Sequence, residues 1–158
     1  MPKTGNEKGM RLRLLIVDDE KEMVEILTRL LEPISSKIDS ADDLFPALEL
    51  ADKNAYNVII LDLRLKSSGK QEALSAIRHF KEKNSAVVVV SGLPDNHLKE
   101  DVLAAGADAF VPKDSDFGVR ALLMATNVAT LKLPHGSYKS DSYLQHVELL
   151  RKMVEHTA

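Results

Sequence analysis

Four short segments of the chain are apolar at almost every position, and more polar segments separate them. These segments are residues 12–17, 57–61, 86–90 and 108–111, and residues 37–41 form a weaker fifth candidate. A strand with one solvent-exposed face alternates apolar and polar residues. Continuous apolar runs rich in Val and Ile therefore indicate strands that are buried on both faces. Parallel sheets have such strands. The pattern therefore predicts five parallel strands.

The segments between these strands carry apolar residues at helical spacing. A first helix is expected near residues 20–32 and is closed by Pro33, a short fourth helix over 97–105 is closed by Gly106, and a fifth spans 116–131. The residues expected to face inward from the first, second, third and fifth helices are Met23, Ile26, Leu27, Leu30, Leu31, Leu44, Leu48, Ala51, Ala73, Leu74, Ile77, Phe80, Val119, Leu122, Leu123 and Thr126. Strands that alternate with helices predict right-handed crossovers and a doubly wound parallel α/β sheet.

Composition narrows the class of protein. The chain has 158 residues, 44% of them hydrophobic, which suffices for one domain with an appendage. Its net charge of -3 argues against a broad phosphate-binding face, so no direct contact with nucleic acid is expected. The absence of cysteine excludes disulfides and thiol nucleophiles. Residues 1–9 are polar, and no apolar run approaches the roughly 20 residues that cross a bilayer, so we expect a loose tail, no membrane contact and a cytoplasmic protein.

After the fifth helix, a linker rich in helix-breaking residues precedes a segment with apolar residues at every third or fourth position. The apolar residues of this segment are Tyr143, Val147, Leu150 and Val154. Their spacing is typical of a coiled-coil seam, but two heptads are too short to be stable, so we favour a helix that packs on its own domain. A homodimer helix and a connector to a further domain are the alternatives. We assign residues 10–131 to the domain and residues 132–158 to the linker and this amphipathic helix.

Four of the expected strands lead into residues that could hold a cation or a phosphate. Asp18 and Asp19 follow the first strand, Asp62 follows the third, Ser91 follows the fourth, and Lys113 lies two residues beyond the fifth. Taken singly, each has a structural explanation as a helix cap, a turn residue or a surface charge. Ligands of open α/β sheets bind outside the carboxyl ends of the strands. The joint pattern therefore predicts a site at one edge of the sheet.

The chemistry of this predicted site requires a cation. Two carboxylates about 5 Å apart repel each other by roughly 3 kcal/mol at an effective dielectric constant of about 20. A hard divalent cation offsets that repulsion, and Mg²⁺ is typically held by one or two carboxylates, water and a phosphate. A lysine and a hydroxyl at the same edge could contact phosphoryl oxygens. The glycine-rich loops that bind nucleotides are absent from the sequence, so the residues indicate phosphoryl transfer without a bound nucleotide.

These motifs resemble those of a known family. The matching stretches are "VDDE" after the first strand, "LDLRL" after the third, "VVSG" after the fourth and "GADAFVPK" around the fifth. In order and approximate spacing, residues 10–131 resemble the receiver domain of two-component response regulators. The resemblance implies a flavodoxin-like (βα)5 fold with five parallel strands, to which the C-terminal helix would be an addition.

The resemblance also implies a role for each acidic residue. Asp62 stands at the phosphoacceptor position and would receive a phosphoryl group from a sensor histidine kinase or a phosphotransfer protein. Asp18 and Asp19 match the acidic pair that holds Mg²⁺ together with Asp62. The backbone carbonyl of Arg64 would complete the protein's share of the metal ligands.

Three further roles follow from the resemblance. Lys113 would pair with the phosphoryl group, Ser91 occupies the hydroxyl switch position, and Phe110 matches the aromatic position that moves inward with that hydroxyl. The expected output is a changed surface on the fourth helix, fifth strand and fifth helix, which a downstream effector would recognise. The domain would catalyse only its own phosphorylation and dephosphorylation, so it is expected to be a signalling module and not an enzyme.

Two other classes of function remain open at this point. A degenerate receiver would keep the fold and act as a constitutive interaction domain, although such receivers typically lack a key residue and none is missing here. A phosphate-ester hydrolase with an aspartyl nucleophile would need Asp-x-Asp after the first strand. The sequence offers Asp18 and Glu20 at that spacing.

Overall fold

A computed structural model describes residues 12–64, 69–92 and 96–113, together with Gly118, Arg120, Ala121 and Ala125. The strands are β1 (Leu12–Val17), β2 (Ser35–Ala41), β3 (Val58–Asp62), β4 (Ala86–Ser91) and β5 (Ala109–Pro112). They form one five-stranded sheet in the order β2-β1-β3-β4-β5, and every neighbouring pair is parallel. The expected parallel sheet is confirmed.

The described helices occupy the segments between the strands. They are α1 (Lys21–Leu31), α2 (Leu44–Lys53), α3 (Lys70–Glu82) and α4 (Asn96–Ala104), with a short 3₁₀ helix at Glu32–Ile34 that contains Pro33. Gly106 follows α4 with a φ of 116°, a conformation that favours glycine and confirms it as the stop signal. Gly118, Arg120, Ala121 and Ala125 are helical, within the range expected for the fifth helix. The remainder of that helix, the tail at 1–9 and the segment 132–158 lie outside the described residues.

Side chains of alternate strand residues pack on opposite faces of the sheet. In β1, Leu15 and Val17 join the core that α2, α3 and α4 cover, whereas Leu14 and Ile16 join the core that α1 covers together with Ala121 and Ala125. The two cores explain why β1, β3 and β4 are apolar at nearly every position. A doubly wound sheet leaves neither face of its central strands in water.

Two details differ from the expectation. Ile26 was expected to face inward with Leu27, but its side chain is 47% exposed, because Leu27 and Leu31 centre the buried stripe of α1 and Ile26 lies at its margin. β2 begins at Ser35, two residues earlier than expected. Among the described strands it pairs only with β1, and such an edge strand retains polar residues that weaken its apolar pattern.

Candidate functional site

The carboxyl edge of the sheet brings together residues from three strands. Asp18 directly follows β1, and its N–H donates to the carbonyl oxygen of Ala41 at 3.0 Å. Asp62 is the last residue of β3, and Lys113 directly follows β5. The strand order reverses between β1 and β3, so the helices that follow these strands leave toward opposite faces of the sheet and open a cleft between them.

Lys113 is the centre of the charged cluster in this cleft. Its Nζ lies 3.1 Å from Asp62 Oδ2, 3.7 Å from Asp18 Oδ2 and 3.8 Å from Glu20 Oε1. The lysine side chain is only 12% exposed, and its backbone N–H donates to the carbonyl oxygen of Ser91 at 2.9 Å. Packing of β5 against β4 therefore holds the base of the lysine in place, while its ammonium group reaches the acidic residues.

Asp18 and Asp62 are both buried, with 3% and 2% of their surfaces exposed. Each carboxylate gives one oxygen to a local backbone group: Asp18 Oδ1 accepts from the N–H of Glu20 at 2.9 Å, and Asp62 Oδ1 accepts from the N–H of Arg64 at 3.1 Å. These two hydrogen bonds fix the rotation of the carboxylates. In both residues the second oxygen is directed toward Lys113.

The donor set fits a hard divalent cation. Asp18, Glu20 and Asp62 each offer a carboxylate oxygen, and these oxygens all lie within 4.8 Å of one another. Asp18 Oδ2 is a buried oxygen that accepts no hydrogen bond from the residues that the structure describes. Such an oxygen is costly unless a charge or a ligand compensates it, and oxygen-rich sites of this kind suit Mg²⁺.

One carboxylate at this edge of the sheet was not expected from the sequence. Asp18 and Asp62 come together as expected, and the third member of the group of oxygens within 4.8 Å of one another is Glu20. The reason is the turn after β1, in which the Glu20 N–H folds back onto Asp18 Oδ1 and returns the Glu20 side chain to the cluster. A two-residue Asp-to-backbone turn was recognisable in "DDE", because aspartate commonly bonds the N–H two positions later.

The remaining predicted residues lie at or near the same edge. Ser91 is the buried last residue of β4 and stands opposite Pro112 in the parallel register. Phe110 is partly buried and packs on the core that α2, α3 and α4 cover. Arg64 is exposed, and its guanidinium Nη2 lies 3.5 Å from where a Cβ on Gly92 would be. The β3 and β4 ends therefore approach each other beside the acidic cluster.

Burial raises the pKa of Asp18 from an ordinary value of 3.8 to about 6. The hydrogen bond from Glu20 and the charge of Lys113 oppose this rise, whereas the charge of Asp62 adds to it. The folded state therefore binds more protons than the unfolded state between these two pKa values. Its stability is expected to fall as the pH rises through that window.

Asp18→Asn is expected to remove this pH dependence. At pH 7 without divalent cations, the variant should be more stable than the wild type by about 1 to 3 kcal/mol, because it no longer buries a charge. Near pH 4 the gain should vanish, since Asp18 is then protonated in the folded state. Urea unfolding at both pH values measures the effect, with Glu22→Gln on the exposed first turn of α1 as the charge-matched control. Equal stability differences at the two pH values would contradict the assignment.

The parallel sheet, the helices on its two faces and the acidic cleft with its lysine define a doubly wound α/β domain of the flavodoxin-like class. The family model described as the response regulator receiver domain matches residues 14–124. The chain therefore belongs to the response regulator receiver family, a class of signalling domains in two-component systems.

Individual relatives agree with this assignment. The chain is 28% identical over 145 residues to the transcriptional regulatory protein SrrA of Staphylococcus aureus, covering 89% of this chain and 59% of that regulator. The chain thus spans less than two thirds of the length of this curated relative.

Solved structures show the same fold. The receiver domain of the Francisella response regulator 1452 has a TM-score of 0.66 at 21% identity and covers 77% of this chain and 99% of its own. The beryllofluoride-activated NtrC4 receiver domain dimer has a TM-score of 0.66 at 26% identity, with 77% and 98% coverage. In the portion of this chain that the structure describes, none of the helices is both long and apolar enough to cross a membrane.

Proposed function

We propose that this receiver domain accepts a phosphoryl group on Asp62 in a Mg²⁺-dependent reaction and thereby switches an interaction surface. The observation that carries the proposal is the position of Lys113 Nζ, 3.1 Å from Asp62 Oδ2 and 3.7 Å from Asp18 Oδ2. A structural lysine would need only one of these partners. A cation placed against a buried acidic pair is what a carboxylate needs before it can attack an anionic phosphoryl group.

Each residue of the cluster has a part in this reaction. Asp18, Asp19, Asp62 and the carbonyl of Arg64 would hold Mg²⁺, which when bound supplies positive charge that neutralises phosphoryl oxygens. A carboxylate oxygen of Asp62 attacks phosphorus, and the P–N bond to the donor histidine breaks. The electron pair of that bond stays on the imidazole nitrogen. Lys113 stays beside Asp62 and stabilises negative charge on the transferred group.

The switch would begin at Ser91. Ser91 ends β4, and its carbonyl oxygen accepts from the N–H of Lys113, which follows the neighbouring strand. From this position its hydroxyl could move toward a phosphoryl oxygen on Asp62. Phe110 on β5 would move with it and alter the surface of α4 and β5.

We propose a sensor histidine kinase or phosphotransfer protein as the donor and an effector protein or domain as the recipient of the signal, in the cytoplasm. We retain residues 10–131 as the receiver unit, with 132–158 as a linker and helix that packs on it or forms a homodimer.

Phosphoryl uptake from acetyl phosphate tests this function. We expect intact-mass measurement to show one added phosphoryl group with Mg²⁺ and none with excess chelator, because the acidic cluster repels the donor without the cation. Mg²⁺ should also raise the melting temperature, since a ligand of the folded state alone stabilises it. Absence of both effects would contradict the proposal and would favour a constitutive interaction domain. Repeated turnover of small phosphate esters would instead favour a hydrolase.

A further inference from the structure

A groove of about 520 Å³ lies between α2 and α3, and none of its described lining residues belongs to the acidic cluster. Its lining includes Leu48 and Ala76, and Phe45 stands on its rim with 71% of its surface exposed. The residues that α2 buries in the core are Leu44, Ala47 and Ala51. The fold therefore does not use the Phe45 ring, although burial of a phenylalanine side chain is worth about 1.5 to 3 kcal/mol. An exposed aromatic side chain beside a groove is typical of a surface that binds a partner.

The end of the groove where Phe45 stands is acidic. Both helices begin at the carboxyl edge of the sheet, because each follows one of two parallel strands. Asp43 is the N-cap of α2 and Glu72 lies in the first turn of α3, so their carboxylates share this end of the groove. Local hydrogen bonds orient both carboxylates: Asp43 Oδ1 accepts from the N–H of Leu44 at 2.8 Å, and Glu72 Oε1 accepts from the N–H of Gly69 at 3.0 Å. The groove therefore presents an aromatic ring and two carboxylates at one end.

The opposite end of the groove contains basic groups as well as an acidic one. Asp52 lines the groove there, and its Oδ1 lies 2.9 Å from His79 Nε2 and 3.4 Å from Lys83 Nζ. Positive charge thus compensates the carboxylate of Asp52 at this end. The charge of the groove is therefore uneven, with its excess of carboxylate beside Phe45.

This arrangement defines the chemistry of an occupant. A guanidinium group can stack on an aromatic ring while its N–H groups donate to a carboxylate, and its methylene stem covers apolar surface. Nucleic acids and anionic lipids would be repelled by the carboxylates at the Phe45 end. The groove is larger than one side chain, and a groove between two helices is a common binding site for a peptide segment. A basic segment that also carries an apolar side chain therefore fits the groove.

We propose that the groove between α2 and α3 is a docking site for a basic segment of another protein. An arginine of that segment lies against Phe45 and pairs with Glu72, and an apolar side chain beside it covers Leu48 and Ala76. The proposal goes beyond phosphoryl transfer, because the groove and the acidic cluster have none of their described residues in common. A partner would thus bind through a surface other than that of α4 and β5.

The test titrates the full chain with a short amidated synthetic peptide that carries arginine and leucine on one helical face. Fluorescence anisotropy measures the affinity, and the amide chemical shifts of the protein locate the bound peptide. Phe45→Ser is expected to weaken binding about tenfold, because the apolar and stacking contacts of the ring are lost. Glu72→Gln should weaken it about threefold, as the loss of a solvent-exposed ion pair predicts. A peptide with glutamate in place of arginine should bind at least about tenfold more weakly.

Matched controls distinguish the groove from the rest of the surface. Leu103→Ser removes an exposed apolar side chain from α4, and Glu25→Gln removes an exposed carboxylate from α1, which covers the other face of the sheet. Each should change the affinity less than about twofold. A wild-type circular dichroism spectrum of every variant shows that a loss of binding is not a loss of folding.

Equal affinities of the wild type, Phe45→Ser and Glu72→Gln would overturn the proposal, as would chemical shift changes centred outside α2 and α3. Two other occupants would also overturn it. A concentration-dependent dimer that Phe45→Ser abolishes, measured by sedimentation, would assign the groove to a second copy of this chain. Residues 1–11 include the basic Lys3, Lys8 and Arg11. If their removal strengthened peptide binding about tenfold, the groove would belong to the chain's own N-terminal segment, which competes at high effective concentration.

Discussion

Asp62→Asn is expected to abolish phosphoryl uptake, with the rate of labelling by acetyl phosphate and Mg²⁺ falling about 10³-fold or more. Asparagine has nearly the same shape and can still accept the hydrogen bond from the Arg64 N–H, so the local backbone should be kept. Its amide is not a nucleophile, and the Asp62 carboxylate that it replaces lies nearer to Lys113 Nζ, at 3.1 Å, than those of Asp18 and Glu20, at 3.7 and 3.8 Å. Intact-mass measurement over time follows the reaction.

Asp52→Asn is the control for this experiment, because Asp52 is an exposed residue of α2 that pairs with His79 and Lys83 away from the cleft. It should be labelled at the wild-type rate. Substantial labelling of Asp62→Asn under the same conditions would place the phosphoacceptor elsewhere and reject the proposed function. Unlabelled variants must also give a wild-type circular dichroism spectrum, so that loss of folding is not mistaken for loss of the nucleophile.

Lys113→Met is expected to lower the free energy of unfolding by about 3 kcal/mol in the absence of divalent cations. Methionine keeps the length of the side chain and removes its charge, which leaves the buried carboxylates of Asp18 and Asp62 without the ammonium group that both contact. The loss should be at the lower end of the range for broken buried ion pairs, because Asp18 can take up a proton as its pKa rises further. Urea unfolding at pH 7 with chelator measures the change.

Addition of Mg²⁺ should restore part of that stability, since the metal would supply the missing positive charge. The control is Lys37→Met, which removes an exposed ion pair with Asp39 at 3.5 Å and should cost less than about 1 kcal/mol. If Lys113→Met and Lys37→Met proved equally stable without Mg²⁺, the charge of Lys113 would not be balancing the cluster. The electrostatic basis of the proposed site would then be wrong.

The apolar pattern was sufficient to predict the class of fold. The buried runs of β1, β3 and β4 predicted a parallel sheet, because strands covered on both faces cannot alternate with polar residues. Gly106 marked the end of α4 correctly, since its positive φ is a local property of the backbone. Local signals were weaker at β2, where one side of the strand pairs with none of the other described strands and polar residues persist.

The chemical identity of the site was also accessible from local sequence. Asp18 and Lys113 follow strands and Asp62 ends one, and parallel strands of one sheet must end at one edge, so their meeting is a consequence of topology. The helical periodicity was a less reliable guide to the burial of Ile26. A helical wheel gives the angle at which a side chain leaves the helix, but it does not show how far the neighbouring helix extends. The residues that face the core can be listed from sequence, but the margins of that face depend on packing.

The approach of Glu20 to Asp18 and Asp62 became visible only in the folded chain. The sequence "DDE" does not show in which direction each of its three carboxylates points. Those directions depend on the turn in which the Glu20 N–H donates to Asp18 Oδ1. That turn follows from the way β1 is held beside β2, where the Asp18 N–H bonds Ala41, and from the start of α1. The local sequence thus determines the fold and the kinds of side chain at the edge of the sheet. It can do so because many residues together determine which faces are buried and which way the strands run. The direction in which a single side chain points depends on a few contacts between residues far apart in the sequence, and local sequence patterns do not show these contacts.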